Sequence, residues 1–336
     1  MKKRVEWIDI ARGIGIIMAM LIHSCTSVIR NQDYGVNLFY AFTSTSSMPL
    51  MIFLSGCSVK LNSKRYMEMS LKDFAKKKLL SFMLPYFSYS AIVYIIFVIT
   101  NFLPFTGPMM KNLGYGNISF LRFLIGLIIG NNHFSIHVWF LYVLFIYEMI
   151  AYLIFKYVKR DYVFIIISVA AYFIEINVDT SISMAWMSGL LYFMFFTLGI
   201  YMYRKRINKW VGIACFFLWM IAYGIYAFMG LNDFYRNYIL ALAIPLFAIT
   251  SISWYGQMKK KKSPVQLRWL GRKSMSLYLF QQPFFGSALG TILYKVVGFP
   301  AWPSVIICII ASFVLPLVIR AILVRYRICR VLFNIR

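Results

Sequence analysis

Acidic residues are what this sequence has least of. Ten Asp and Glu stand against 35 Lys and Arg, and charged residues of both signs fill only 13% of 336 positions. Soluble domains carry about 25% charged residues, so this shortage excludes an ordinary soluble fold. Hydrophobic residues make up 61%, and the mean hydropathy is +0.73. Cysteine is also scarce. Cys25, Cys57, Cys215, Cys308 and Cys329 are scattered through apolar runs with no CxxC pair. That spacing excludes a disulfide framework and a metal site, and the five read as reduced packing residues. Nor does any interval between apolar runs reach the length of a soluble domain, and no internal repeat is visible. The first apolar run lacks a small-residue cleavage site with a mature domain behind it, so it reads as a retained span.

What is present is a series of apolar runs. A helix needs about 20 apolar residues to cross the hydrocarbon. Ten runs qualify as expected spans: 7–29, 38–59, 79–103, 134–155, 162–176, 182–203, 208–230, 235–256, 274–296 and 302–324. A further apolar piece, 119–130, is too short to cross. It reads as re-entrant, as interfacial, or as an outer extension of the fourth span. The expected fold is all-α: a polytopic membrane bundle of about ten transmembrane helices forming one domain over 1–336.

The formal charge of +25 raises the question of nucleic acid, but its placement answers otherwise. The cations sit in short clusters between apolar runs, as loops at an anionic lipid surface do. With the N-terminus cytoplasmic, 29 of the 35 Lys and Arg fall in inner segments and five in outer ones. Arg30, Lys111, Arg122, Arg236 and Lys295 are the outer five. This bias places both termini in the cytosol. The run of four lysines at 259–262 reads as a lipid-facing topology signal.

Ionisable groups inside spans cost about 2.5–3.5 kcal/mol on insertion scales and are commonly paired or functional. Arg12 and His23 lie in the first run, eleven positions apart. On a helix that spacing leaves them about 20° apart on one face and about 16 Å apart along the axis. Arg12 falls toward the cytosol and His23 toward the outside. Two uses fit this stripe. In the first, Arg12 pairs with Asp9 or with Glu148 of the fourth span, and His23 is a hydrogen-bonded packing residue. In the second, both serve a reaction. His133 and His137, at the outer end of the fourth span, read as exposed and without special function. Trp139 reads as an interface anchor. Pro85, Pro245, Pro283 and Pro316 mark spans that can line a cavity, although proline is common in membrane helices generally.

These stretches resemble acyltransferase family 3, the polytopic bacterial O-acyltransferases. "RVEWIDIARGIGIIMAMLIH" is similar to the family's first helix, in which an arginine, ten residues and a histidine recur; here they are Arg12 and His23. "SMPLMIFLSGCSVK" (47–60) resembles the second-helix segment through Met48, Pro49, Ser55 and Gly56. "HVWFLYVLFIYEM" (137–149) is similar to the tryptophan-phenylalanine-leucine helix, and "GRKSMSLYLFQQPF" (271–284) to the late segment. The sequence also departs from the pattern. Lys78 and Ser81 stand where two arginines often precede a proline-tyrosine pair, here Pro85 and Tyr86. Ser47 and Gln281 stand where histidines are common.

The resemblance implies transfer of an acyl group, usually acetyl, from cytosolic acyl-coenzyme A to a hydroxyl of a cell-envelope glycan. Capsule and exopolysaccharide sugars are the acceptors it favours. The chain would then be a multi-pass protein of the cytoplasmic membrane, with no bound cofactor and no metal. Acetyl-CoA or another acyl-CoA is the donor substrate, and the partners are a glycan or lipid-linked sugar and membrane lipid. His23 is the expected general base, since imidazole titrates near working pH. Arg12 is the expected donor-binding or orienting residue. Glu148, Trp139, Tyr86, Gln281 and Ser55 are expected substrate contacts. The competing class is a transporter or flippase for a polysaccharide or lipid-linked sugar, because a polar stripe across a bundle also suits a substrate pathway.

Overall fold

The computed structural model describes residues 5–104, 106–112, 116, 118–177, 185–230, 238–258 and 264–335. The lysine run at 259–262, Arg236 and the starts of the expected spans at 182 and 235 lie outside the described residues. Twelve helices carry the description: α1 (Glu6–Ser24), α2 (Tyr34–Met67), α3 (Leu71–Phe102), α4 (Phe120–Ile129), α5 (Trp139–Leu153) and α6 (Tyr162–Asn177). They continue as α7 (Ala185–Met202), α8 (Lys209–Phe228), α9 (Tyr238–Gln257), α10 (Val265–Gln281), α11 (Phe284–Val296) and α12 (Ala301–Leu323). No strand occurs among the described residues.

Among the described residues, seven segments are long and apolar enough to cross a membrane: α1, α2, α3, Phe120–Val158, α8, Ile239–Gln257 and α12. Three shorter apolar helices, Tyr162–Glu175, Gly189–Met202 and Phe284–Val296, stand at the other three expected positions. Large apolar side chains point outward along the long helices. Ile95, Ile99, Phe217, Ile221, Ile306 and Ile310 are all exposed. An aqueous fold would bury such rows; in hydrocarbon they are the solvated face.

Contacts divide the chain into two compact units. The first holds Met1–Ser58 and Leu198–Arg320, the second Val59–Thr197 and Ala321–Arg336.

In the first unit, α1 and α10 lie side by side. Glu6 meets Arg268 at 2.8 Å, Asp9 stands 3.7 Å from Arg272, and the Gln282 amide donates to the His23 carbonyl at 3.1 Å. The partners are separated by 262 residues at one end and 259 at the other. A near-constant offset over the whole helix means that the two run parallel. They touch backbone to backbone. A methyl group at Gly271 would stand 1.9 Å from the Asp9 carbonyl oxygen, and one at Gly13 would stand 2.1 Å from that of Leu267. Only glycine permits that approach. α2 packs antiparallel to α1: Arg12 reaches Ser58, while Gly15 faces Leu50 and Met51.

The second unit resolves the short apolar piece at 119–130. Phe123 of α4 stacks on Tyr94 of α3 at 4.2 Å. Seven residues from its start, the Leu127 carbonyl accepts from the Tyr86 hydroxyl at 3.1 Å. Tyr86 lies eight positions before Tyr94, so α4 runs antiparallel to α3. Gly130, in the left-handed region at φ 75°, ends the helix. The chain then returns, and Phe134 packs on Tyr94 and Phe97 at 5.4 and 5.3 Å. From there α5 descends again past Tyr86 to Glu148. The piece is therefore a separate helix that runs back along α3, and not an extension of the fourth span. The last carbonyls of α4 need partners at that depth. Tyr86 supplies one and Tyr142, at 3.0 Å to Ile128, another.

The same hairpin corrects the reading of His137. His133 is exposed, but His137 is only 6% exposed, with its ring edge-on to Tyr89 at 5.5 Å. The returning turn carries it down beside α3, where Ser90, Asn132 and Ser135 share hydrogen bonds of 2.9 Å.

Candidate active site

The charged residues of α1 follow from where its ends lie. Glu6 and Asp9 occupy its first turn and His23 its last, an order that suits the helix dipole. The helix is unbroken from Glu6 to Ser24. Eleven residues of regular helix therefore hold Arg12 and His23 on one face. Both are partly exposed, while Ile16, Met18, Ala19 and Met20 between them are buried.

Arg12 is held from two sides. Its guanidinium donates to the Ser58 hydroxyl at 3.0 Å, and that hydroxyl donates onward to the Leu54 carbonyl at 2.8 Å. Asp9, one turn earlier, stands 3.8 Å away. Asp9 also faces Arg272 at 3.7 Å, so one carboxylate serves two guanidiniums at long range. Arg268 and Lys273 add to the same end of α10. A cluster of cations at one end of the unit favours the arrival of an anion.

At the other end, Gln282 positions the last turn of α1 through the His23 carbonyl. The Gln282 carboxamide oxygen accepts from the Ser287 hydroxyl at 2.8 Å, which fixes its orientation. Gln281, beside it, is fully buried, and neither atom of its amide finds a partner among the described residues. Ser55 is buried on α2. Arg12, His23, Ser55 and Gln281 thus belong to the first unit.

The other three expected contacts belong to the second unit, and each has packing partners there. Tyr86 is fully buried and gives its hydroxyl to Leu127. Trp139 opens α5 with its ring 5.8 Å from that of Tyr192. Glu148, one of the two acids expected for Arg12, is ion-paired with Lys78. Lys78 also donates to the Tyr66 hydroxyl at 3.2 Å. Phe74 stacks on Tyr152 at 4.3 Å against the same cluster, and the Tyr152 hydroxyl donates to the Met69 carbonyl. Among the described residues, no group of three or more His, Cys, Asp or Glu forms a potential metal site.

Sequence reasoning missed four supporting residues: Ser58, Arg272, Gln282 and Lys78 as the partner of Glu148. Ser58 lies one turn beyond Ser55 and could have been found by that spacing. The others depend on which helices are neighbours.

A family model described as an acyltransferase domain matches residues 5–321. The chain belongs to acyltransferase family 3. The match spans every helix from α1 to α11 and most of α12, so both units lie within it. No curated protein and no solved structure shows a match. The protein is a multi-pass membrane acyltransferase.

Proposed function

We propose that this acyltransferase moves an acyl group, acetyl in the simplest case, from cytosolic acyl-CoA to a hydroxyl of a cell-envelope glycan or its lipid-linked precursor. The observation that carries the reading is the single face of α1. It joins a cationic end, where Arg12 lies among Arg268, Arg272 and Lys273, to the His23 imidazole about 16 Å away. Acyl-CoA is anionic and its thioester lies at the end of a long flexible arm, so a phosphate-attracting mouth and a distant base fit one donor molecule. The parallel course of α1 and α10 supports ten crossings with both termini in the cytosol, because the first and ninth crossings then share a direction.

In this reading Arg12 and Arg272 hold and orient the donor. A hydroxyl attacks the thioester carbonyl, and neutral His23 takes its proton as the carbon–oxygen bond forms. The carbon–sulfur bond breaks, and the proton passes to the departing sulfur. The products are an O-ester and free CoA thiol. Gln282 fixes the end of α1 that carries the base.

Proton NMR of the envelope glycan, from cells with and without this gene, tests the proposal. O-acyl signals are expected to disappear while the polymer remains. Loss of the polymer itself would overturn the reading in favour of a flippase.

A further inference from the structure

Between Arg12 and His23 the first unit contains a belt of buried polar groups. The run Thr43-Ser44-Thr45-Ser46-Ser47 lies inside α2. Thr43, Ser44 and Thr45 bond back to carbonyls of their own helix at 3.0–3.3 Å. That is the usual fate of a helical hydroxyl in an apolar setting. Ser46 and Ser47 break the series. Both are fully buried, and neither hydroxyl has a hydrogen-bond partner among the described residues. Pro49, two residues on, brings no N–H to the Thr45 carbonyl, so that acceptor also loses its helical partner.

Three registers place the belt. Gly15 of α1 faces Leu50 and Met51 of α2. Ser46 and Ser47 lie about one turn beyond that level and His23 about two turns beyond it. Gln281 precedes the residue that holds the His23 carbonyl, so it enters within about one turn of His23 from α10. On α12, Cys308 packs with Gly290 against Thr26. Ser312, one turn away, is fully buried and likewise without a partner among the described residues. The turns 13–22, 43–51, 276–282 and 308–316 contain no Asp, Glu, Lys or Arg.

Unpartnered donors and acceptors held away from water are costly. Four residues that bear such groups, within about two turns of His23 along the helices, suit a site that is closed at rest and satisfied by a polar guest. We infer that Ser46, Ser47 and Gln281 form the acceptor subsite, and that it selects an uncharged, hydroxyl-rich sugar unit over one carrying a carboxylate or phosphate. Hydroxyls both donate and accept, as serine and amide groups require. An ionised group would enter a belt whose own turns carry no counter-charge. The inference rests on the acyl-transfer reading.

The test uses full-length protein in lipid nanodiscs, with acetyl-CoA and two probes: p-nitrophenyl β-D-glucoside and the matching glucuronide. Binding is read by saturation-transfer NMR and transfer by mass spectrometry. The glucoside is expected to bind and accept acetyl, and the glucuronide to do neither. Ser46→Ala/Ser47→Ala and Gln281→Leu should each raise KM for the glucoside about tenfold or more, with kcat nearly unchanged. Their melting temperatures should hold or rise, since the changes remove unpartnered groups. Ser47→Thr should recover part of the loss. Unchanged KM in the variants, equal use of the glucuronide, or a fall in melting temperature overturns the subsite. If the glucoside binds and the variants lose it while no acetyl moves, the subsite stands and the transferase reading fails.

Discussion

Each unit of this protein pairs an arginine or lysine with an acid, and the two pairs are built in opposite ways. Lys78 and Glu148 are each 6% exposed, in direct contact, and surrounded by Tyr66, Phe74 and Tyr152. Arg12 and Asp9 stand 3.8 Å apart, and Arg12 keeps 28% of its side chain accessible. Asp9 is shared with a second guanidinium. The closed pair is a fastener: charge buried with full compensation holds α3 and α5 together but offers nothing to a ligand. In the proposed reading the open pair is a grip, because a loosely held guanidinium with accessible surface can exchange its carboxylate for a phosphate. Charge in an apolar setting is not by itself a sign of chemistry. How completely its partner satisfies it is the better guide.

The sharpest way to test the contrast is through the residue that shares α1 with the open pair. His23→Ala should lower acyl transfer by about 10²- to 10⁴-fold while leaving expression, insertion and the melting temperature as in the wild type. Full transfer by this variant, measured with labelled acyl-CoA, would remove the histidine from the reaction. The closed pair should behave in the reverse manner. Lys78→Met or Glu148→Leu alone strands a buried charge and should cost about 3–5 kcal/mol of stability. The double variant should regain most of that loss, since two apolar side chains of similar size replace a matched pair. Thermal unfolding in detergent reads all three. A double variant no more stable than the singles would mean that the pair does more than fasten. The smallest effect belongs to the grip. Arg12→Lys keeps the charge but loses the planar fork and should raise KM for the donor by about tenfold, with little change in melting temperature. Identical KM in Arg12→Lys and wild type would show that a point charge suffices there.

The same contrast explains what the sequence could show. Spans were legible because hydropathy acts through length alone: α8 and α12 are continuous apolar helices of 20 and 23 residues. The Arg12–His23 stripe was legible because both residues belong to one helix, where spacing determines direction. The partner of Glu148 was not legible. Lys78 and Glu148 are 70 residues apart in sequence, and their meeting depends on α3 and α5 being neighbours. The burial of His137 was hidden for a similar reason. A ten-residue apolar run does not say whether it rises or descends, and the turn at Gly130 decides it. Ser46 was passed over because a hydroxyl in a helix normally bonds to its own backbone. Only coordinates show that this one does not.

The seam between α1 and α10 also decides when the enzyme comes into being. α1 leaves the ribosome first, and α10 follows only about 240 residues later. At translation rates of about 5–20 residues per second, α1 waits roughly 12–50 s for the helix that supplies Arg268, Arg272 and Gln282. Through that interval Glu6 and Asp9 have no guanidinium from α10, and the end of α1 that bears the imidazole is unanchored. In the proposed reading the reaction centre is thus completed near the end of synthesis, and nascent chains that stop before Val265 are expected to be inert toward donor and acceptor alike.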